Sequence, residues 1–156
     1  MNISFWLNGV YRHEEVNPDM LLLDFLRENG CPSVKRGCET ANCGLCTVLM
    51  DGKPILSCST LAARAEGKKI VTLEGLQREA KEFGSFMAND GAEQCGFCNP
   101  GFIMNVFAML QELKDPTEEE IKEYLAGNLC RCSGFVSQTR SIQKFLKYKK
   151  AQEGGE

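Results

Sequence analysis

Residues 37–58 read GCETANCGLCTVLMDGKPILSC, with Cys38, Cys43, Cys46 and Cys58 in the order C-x4-C-x2-C-x11-C. The second half of this stretch has the pattern of a hairpin. Thr47 to Met50 and Pro54 to Ser57 are short apolar runs flanking Asp51-Gly52, a pair suited to the left-handed angles of a two-residue turn. A loop carrying three cysteines thus leads into two short strands, and the fourth cysteine follows them.

Toward the N-terminus, Ile3, Phe5 and Leu7 alternate with polar or exposed positions and Asn8-Gly9 supplies another tight turn, which predicts strand, turn, strand. Asn17 is placed to cap and Pro18 to begin a helix carrying Leu22, Phe25, Leu26 and Asn29, with Gly30 ending it. Beyond the hairpin, Lys69 to Thr72 offers one more short strand. Strands around one early helix make a small α+β unit over residues 1–75.

Residues 76–156 change period. Leu76, Ala80, Phe83 and Met87 share one helical face, and Ile103, Phe107, Leu110 and Lys114 share another. Asn99-Pro100 has the order of a cap and a first-turn proline, and Thr117-x-x-Glu120 is a capping box for a helix closed by Gly127. A fourth helix carries Ile142, Phe145 and Leu146, and the tail Glu153-Gly154-Gly155-Glu156 is expected to fray. The short connections favour antiparallel packing.

Nine cysteines in 156 residues point to metal or redox chemistry, because nothing at the N-terminus has the layout of an export signal that would favour a disulfide framework. The first three cysteines of the opening stretch have the plant-type 2Fe-2S spacing, with a more distant fourth. An anionic cluster needs close backbone N–H groups, and Gly37 and Gly44 would permit that approach. A second set, Cys95, Cys98, Cys130 and Cys132, forms two tight pairs, each just before a predicted helix whose N-terminus favours an anion. Gly96 and Gly101 would ease the first pair's approach, and Arg131 would offset negative charge. A competing reading joins Cys43, Cys46, Cys95 and Cys98 into a four-thiolate zinc site, but leaves Cys38, Cys58, Cys130 and Cys132 without a task. Cys31 reads as a small buried apolar residue.

Other classes fall away. The net charge is -3 and the basic residues are dispersed, so there is no footprint for nucleic acid. No apolar run reaches the length of a membrane span, and a cytoplasmic location is expected. His13, the single histidine, excludes a Rieske centre and a two-histidine zinc finger; it reads as a strand-edge residue. Trp6 and the nine phenylalanines read as core or interface, and Glu118, Glu119 and Glu120 as a solvated helix start. No catalytic triad, P-loop or G-x-G-x-x-G is present, so no catalytic residue is assigned.

At LLLDFLRENG, SVKRGCETANCGLCTVLMDGKP, SCSTLA, VTLEGL, QCGFCNPGFIM and LAGNLCRCSGF the sequence resembles the small iron-sulfur subunit or domain of the xanthine dehydrogenase and aldehyde oxidoreductase family of molybdenum hydroxylases. The resemblance implies an N-terminal β-grasp, plant-type ferredoxin-like domain and a C-terminal four-helix bundle. It implies one 2Fe-2S cluster on Cys38, Cys43, Cys46 and Cys58, nearer FAD in a medium subunit. A second would sit on Cys95, Cys98, Cys130 and Cys132, nearer the molybdenum-pterin cofactor of a large subunit, with Gln94 and Cys132 touching the pterin. The implied role is electron transfer in a heteromeric hydroxylase, with xanthine or another purine as the leading substrate; a free two-cluster ferredoxin-type carrier is the alternative. Ala41 stands where the family usually has glycine, and Asn42, Leu45, Asn99, Ser133, Phe135 and Gln138 depart from the commoner pattern as well.

Overall fold

The computed structural model describes residues 1–154. Strands β1 (Asn2–Leu7) and β2 (Val10–Glu15) form the first hairpin, closed by Asn8 and Gly9 at φ 51 and 82. Strands β3 (Thr47–Met50) and β4 (Lys53–Leu56) form the second, closed by Asp51 and Gly52 at φ 51 and 81. Both turns are the left-handed two-residue type expected from their sequences. Strand β5 (Lys69–Val71) lies between the hairpins, parallel to β1 and antiparallel to β3, giving the order β2-β1-β5-β3-β4.

Helix α1 (Leu22–Glu28) covers one face of this sheet. Its Leu22, Leu23, Phe25 and Leu26 pack with Ile3, Phe5, Leu7, Val48 and Ile70 in a single apolar core. The helix starts later than expected, because Asn17 and Pro18 stand in a turn that Met20 N–H closes on Asn17 O. Leu21 then bridges to Leu61, and Leu22 N–H donates to Thr60 O. Gly30, at φ 85, ends the helix as expected, with Cys31 N–H donating to Leu26 O at 2.9 Å.

The remaining chain is helical: α2 (Gln77–Asn89), α3 (Asn99–Glu112), α4 (Glu118–Tyr124) and α5 (Phe135–Glu153). Phe83, Met87, Phe102, Val106, Met109, Ile121, Ile142 and Phe145 join them in a second core. The capping box at Thr117 and Glu120 is complete. Gly127, by contrast, lies beyond the end of α4, which stops at Tyr124.

Helix α3 differs most from the expected one-sided stripe. Ile103 is buried, but Phe107 and Leu110 are only partly so, whereas Phe102, Met104, Val106, Ala108 and Met109 are all enclosed. The cause is its position between two layers. Met104 and Ala108 pack on Leu49 of β3 in a third apolar cluster, while the other side meets the helices. Asn99 is the first residue of α3 rather than its cap, and its carboxamide is taken by Glu93 at 2.7 Å. Of the tail, Glu153 still belongs to α5, while residues 155 and 156 lie outside the described residues.

Candidate metal centre

The loop before β3 gathers the first cysteine set. A Cβ at Gly37 would fall 2.7 Å from Leu45 Cδ2 and 3.2 Å from Cys43 Sγ, so any side chain there would have to displace the Leu45 methyl and crowd the thiol. Backbone N–H groups of Thr40, Asn42 and Cys43 are directed at Cys38, and they lower its thiol to about 6 from the ordinary 9.0. Burial pushes Cys43 upward. After β4, a 3-10 turn at Ser57–Ser59 brings Cys58 back: Ser57 donates to Cys46 O through Oγ at 2.8 Å and through N–H at 3.3 Å. Burial, and then the Cys46 thiol, push Cys58 up to about 12. The four thiols lie near enough to act on one another, Cys38 most directly with Cys43 and Cys46 with Cys58.

The second set is built on two helix starts. Cys98 is the cap residue of α3 and Gly134, at φ 74, that of α5. Gly96, also at φ 74, turns the chain between Cys95 and Cys98. Here Cys132 Sγ lies 3.6 Å from Cys95 Sγ, and Cys130 is the thiol that acts most strongly on Cys98. Burial pushes Cys98 up to about 12. Burial also acts upward on Cys130, but N–H groups of Gly134, Cys132 and Ser133 and the Cys98 thiol outweigh it and leave this thiol below its ordinary value. The Cys95 thiol holds Cys132 above its own. Cys95, Cys132 and Gln94 are exposed, so this set opens to the surface. Apolar side chains beside these cysteines in sequence are exposed as well: Val136 at 78%, Leu129 at 49%, Phe97 at 48% and Phe135 at 45%.

One backbone contact joins the two sets. Leu129 N–H, one residue before Cys130, donates to the carbonyl of Cys43 at 2.9 Å. The approach is close enough that a Cβ on Gly44 would fall 2.4 Å from Gly127 O, and one on Gly101 would fall 2.4 Å from Gly44 O. Gly101 therefore serves the contact between the two halves, not the approach of Cys95 and Cys98. Sequence reasoning passed over Leu129 and Asn128, although both stand in the stretch GNLC immediately before Cys130. Cys31 is remote from these roles: it is buried in the first core, with Asn8 Nδ2 at 3.9 Å. His13 lies on edge strand β2 and meets Ser4 Oγ at 2.8 Å.

Pairing decides what the thiols can hold. A sulfur separation of 3.6 Å is far beyond the roughly 2.05 Å of a disulfide, and all nine cysteines are free. Among the described residues no three His, Cys, Asp or Glu side chains converge on a single ion. The zinc quartet is therefore not assembled, and Cys95 stands with Cys132. Two thiols for each of two irons is the donor set of a 2Fe-2S cluster, and the N–H groups around Cys38 and Cys130 suit its negative charge. The residues present fit that group.

Residues 6–73 match the family described as a 2Fe-2S iron-sulfur cluster binding domain, and residues 72–143 match that described as a [2Fe-2S] binding domain. The chain is 42% identical over 139 residues to the nicotinate dehydrogenase small FeS subunit of Eubacterium barkeri, covering 87% of this chain and 88% of that one. It is 47% identical over 139 residues to the xanthine dehydrogenase iron-sulfur-binding subunit of Escherichia coli O157:H7, covering 86% and 87%. A chain in the crystal structure of quinoline 2-oxidoreductase from Pseudomonas putida 86 superposes with a TM-score of 0.84 at 41% identity, over 91% of this chain and 90% of that one. Since these likenesses run through both cysteine sets, the chain belongs to the small 2Fe-2S iron-sulfur subunits of the xanthine dehydrogenase and aldehyde oxidoreductase family of molybdenum hydroxylases.

Proposed function

We propose that this chain is the electron-transfer subunit of a molybdenum hydroxylase, relaying electrons from a molybdenum-pterin site in a large partner subunit to FAD in a medium one. Residues 1–75 form a β-grasp unit whose Cys38, Cys43, Cys46 and Cys58 hold the cluster nearer FAD. Residues 76–156 form a four-helix bundle whose Cys95, Cys98, Cys130 and Cys132 hold the cluster nearer molybdenum. Each bound 2Fe-2S cluster supplies a one-electron carrier. Gln94 and Cys132, both exposed, contact the pterin across the subunit boundary.

The observation that carries this reading is the 2.9 Å hydrogen bond from Leu129 N–H to Cys43 O. It links a backbone carbonyl of one thiolate set to the residue beside the other, so a short covalent and hydrogen-bonded path connects the two. A free carrier has no use for exposed Phe97, Leu129, Phe135 and Val136, whereas a docked subunit covers them. Among the described residues no helix is long and apolar enough to cross a membrane. The relatives named above act, by their names, on nicotinate, xanthine and quinoline, all nitrogen heterocycles. We assign the substrate to that class, with xanthine or another purine first.

The test is iron, acid-labile sulfide and zinc content, with EPR of the dithionite-reduced protein purified anaerobically with its associated chains. About four irons and four sulfides per chain, two distinct 2Fe-2S signals, and co-purifying molybdenum and flavin are expected. Zinc without sulfide would overturn the assignment. In C98S the second signal should vanish and substrate should no longer reduce the flavin, while molybdenum loading is retained.

A further inference from the structure

Asn128 sits where the two halves of the chain meet, is only 5% exposed, and uses both ends of its carboxamide. Nδ2 donates to Gly44 O at 3.2 Å, and Oδ1 accepts from Asn105 Nδ2 at 2.6 Å. Asn105 also donates to Tyr124 O at 3.2 Å, and Asn128 N–H donates to Leu125 O at 2.9 Å. The residue is thus anchored to α3 and to the end of α4, and it reaches across to the first cysteine loop. Gly44 O is fixed from its own side by Thr47, through Oγ1 at 2.7 Å and N–H at 3.2 Å. Two consecutive carbonyls, of Cys43 and Gly44, therefore accept from two consecutive residues, Leu129 through its N–H and Asn128 through its side chain.

We propose that Asn128 is a positioning residue for electron transfer: its carboxamide sets the register of residues 43–44 against residues 128–129 and so preserves the Cys43–Leu129 hydrogen bond. The inference rests on the relay reading above. Electronic coupling falls off more slowly along covalent and hydrogen bonds than across a gap. Loosening this one link therefore weakens communication between the two thiolate sets without touching any thiol. No side chain can substitute for the close approach, because a Cβ on Gly44 would also lie 2.7 Å from Asn128 Nδ2.

The variant N128D keeps the shape of the side chain and its acceptor for Asn105, loses the donor, and turns an oxygen toward Gly44 O. In the complete anaerobically purified complex, the expected result is wild-type iron and sulfide content and unchanged potentials for both centres. The spin–spin splitting between the two reduced centres should shrink, and electron exchange between them, followed by rapid freezing, should slow severalfold. Wild-type splitting and exchange in N128D would overturn the proposal. If N128D fails to retain both clusters, N105L decides, since it removes the donor to Asn128 Oδ1, together with the bond to Tyr124 O, and leaves the Asn128 carboxamide itself in place. It should give a smaller change in the same direction, and unchanged splitting there would equally overturn the proposal. Absence of any splitting or exchange in the wild type would instead sink the relay reading itself, before any variant is made.

Discussion

At the residue scale, the first cysteine loop carries a strained position that its chemistry exploits. Ala41 has φ 55, left-handed backbone that costs an L-residue with a Cβ roughly 1–2 kcal/mol. Its neighbours Thr40 and Asn42 are the residues whose N–H groups act on Cys38, so the left-handed turn stands between the two donors. A41G should relieve the strain, offset in part by the greater freedom of glycine in the unfolded chain, for a net gain of about 1 kcal/mol or less. The measurement is loss of visible cluster absorbance during denaturant titration. A higher midpoint is expected in A41G; an unchanged or lower midpoint would show that the loop, not the residue, bears the strain.

At the scale of elements, a single carboxylate ties the loop after α1 to the turn that leads into the helices. Glu74, in a 3-10 turn at Leu73–Gly75, accepts from Ser33 N–H at 2.9 Å, Ser33 Oγ at 2.6 Å and Thr72 Oγ1 at 2.6 Å. Burial acts upward on its pKa, but these donors outweigh it and hold the carboxyl below its ordinary 4.5. A depressed carboxylate contributes stability that is fully present above its unfolded pKa and is lost as pH falls through the folded one. E74Q should therefore cost about 1 kcal/mol near neutral pH, the figure being reduced for partial exposure. The gap between E74Q and wild type should close as pH falls below 4.5. Urea unfolding at several pH values checks this, and a gap that stays constant with pH would mean the charge is not what matters.

This scale also marks how much of the fold the sequence discloses. Both hairpin turns and the capping box could be read because their signals act over two to four residues. The start of α1 could not, because Leu21 and Leu22 are claimed by Leu61 and Thr60, some forty residues away in sequence. The same applies to α3, whose burial comes from β3 on one side and helices on the other. The eight thiols were disclosed by spacing, since the pairings require tight loops. Asn128 was hidden because its partners, Gly44 and Asn105, are distant in the chain.

At the scale of the whole molecule, the placement of exposure matters more than its amount. The first set lies partly enclosed between hairpin and helices, with Cys43 and Cys46 buried, whereas Cys95 and Cys132 of the second set are exposed. Val136, the most exposed large apolar residue, sits in the first turn of α5, shortly after Cys132. If the subunit docks through this end, V136D places a carboxylate where the partner must exclude water, an unfavourable burial. Affinity for the large subunit should fall by about tenfold or more, equivalent to at least ~1.4 kcal/mol. Iron content and both EPR signals should stay at wild-type level, because Val136 is exposed and belongs to none of the three core clusters. The isolated subunit should also self-associate less, since an exposed apolar surface is interrupted. Titration of the large subunit against each protein, with sedimentation of the small subunit alone, reads both effects. Undiminished affinity in V136D would move the docking face away from the start of α5 and leave the exposed end of the second cysteine set without a proposed cover.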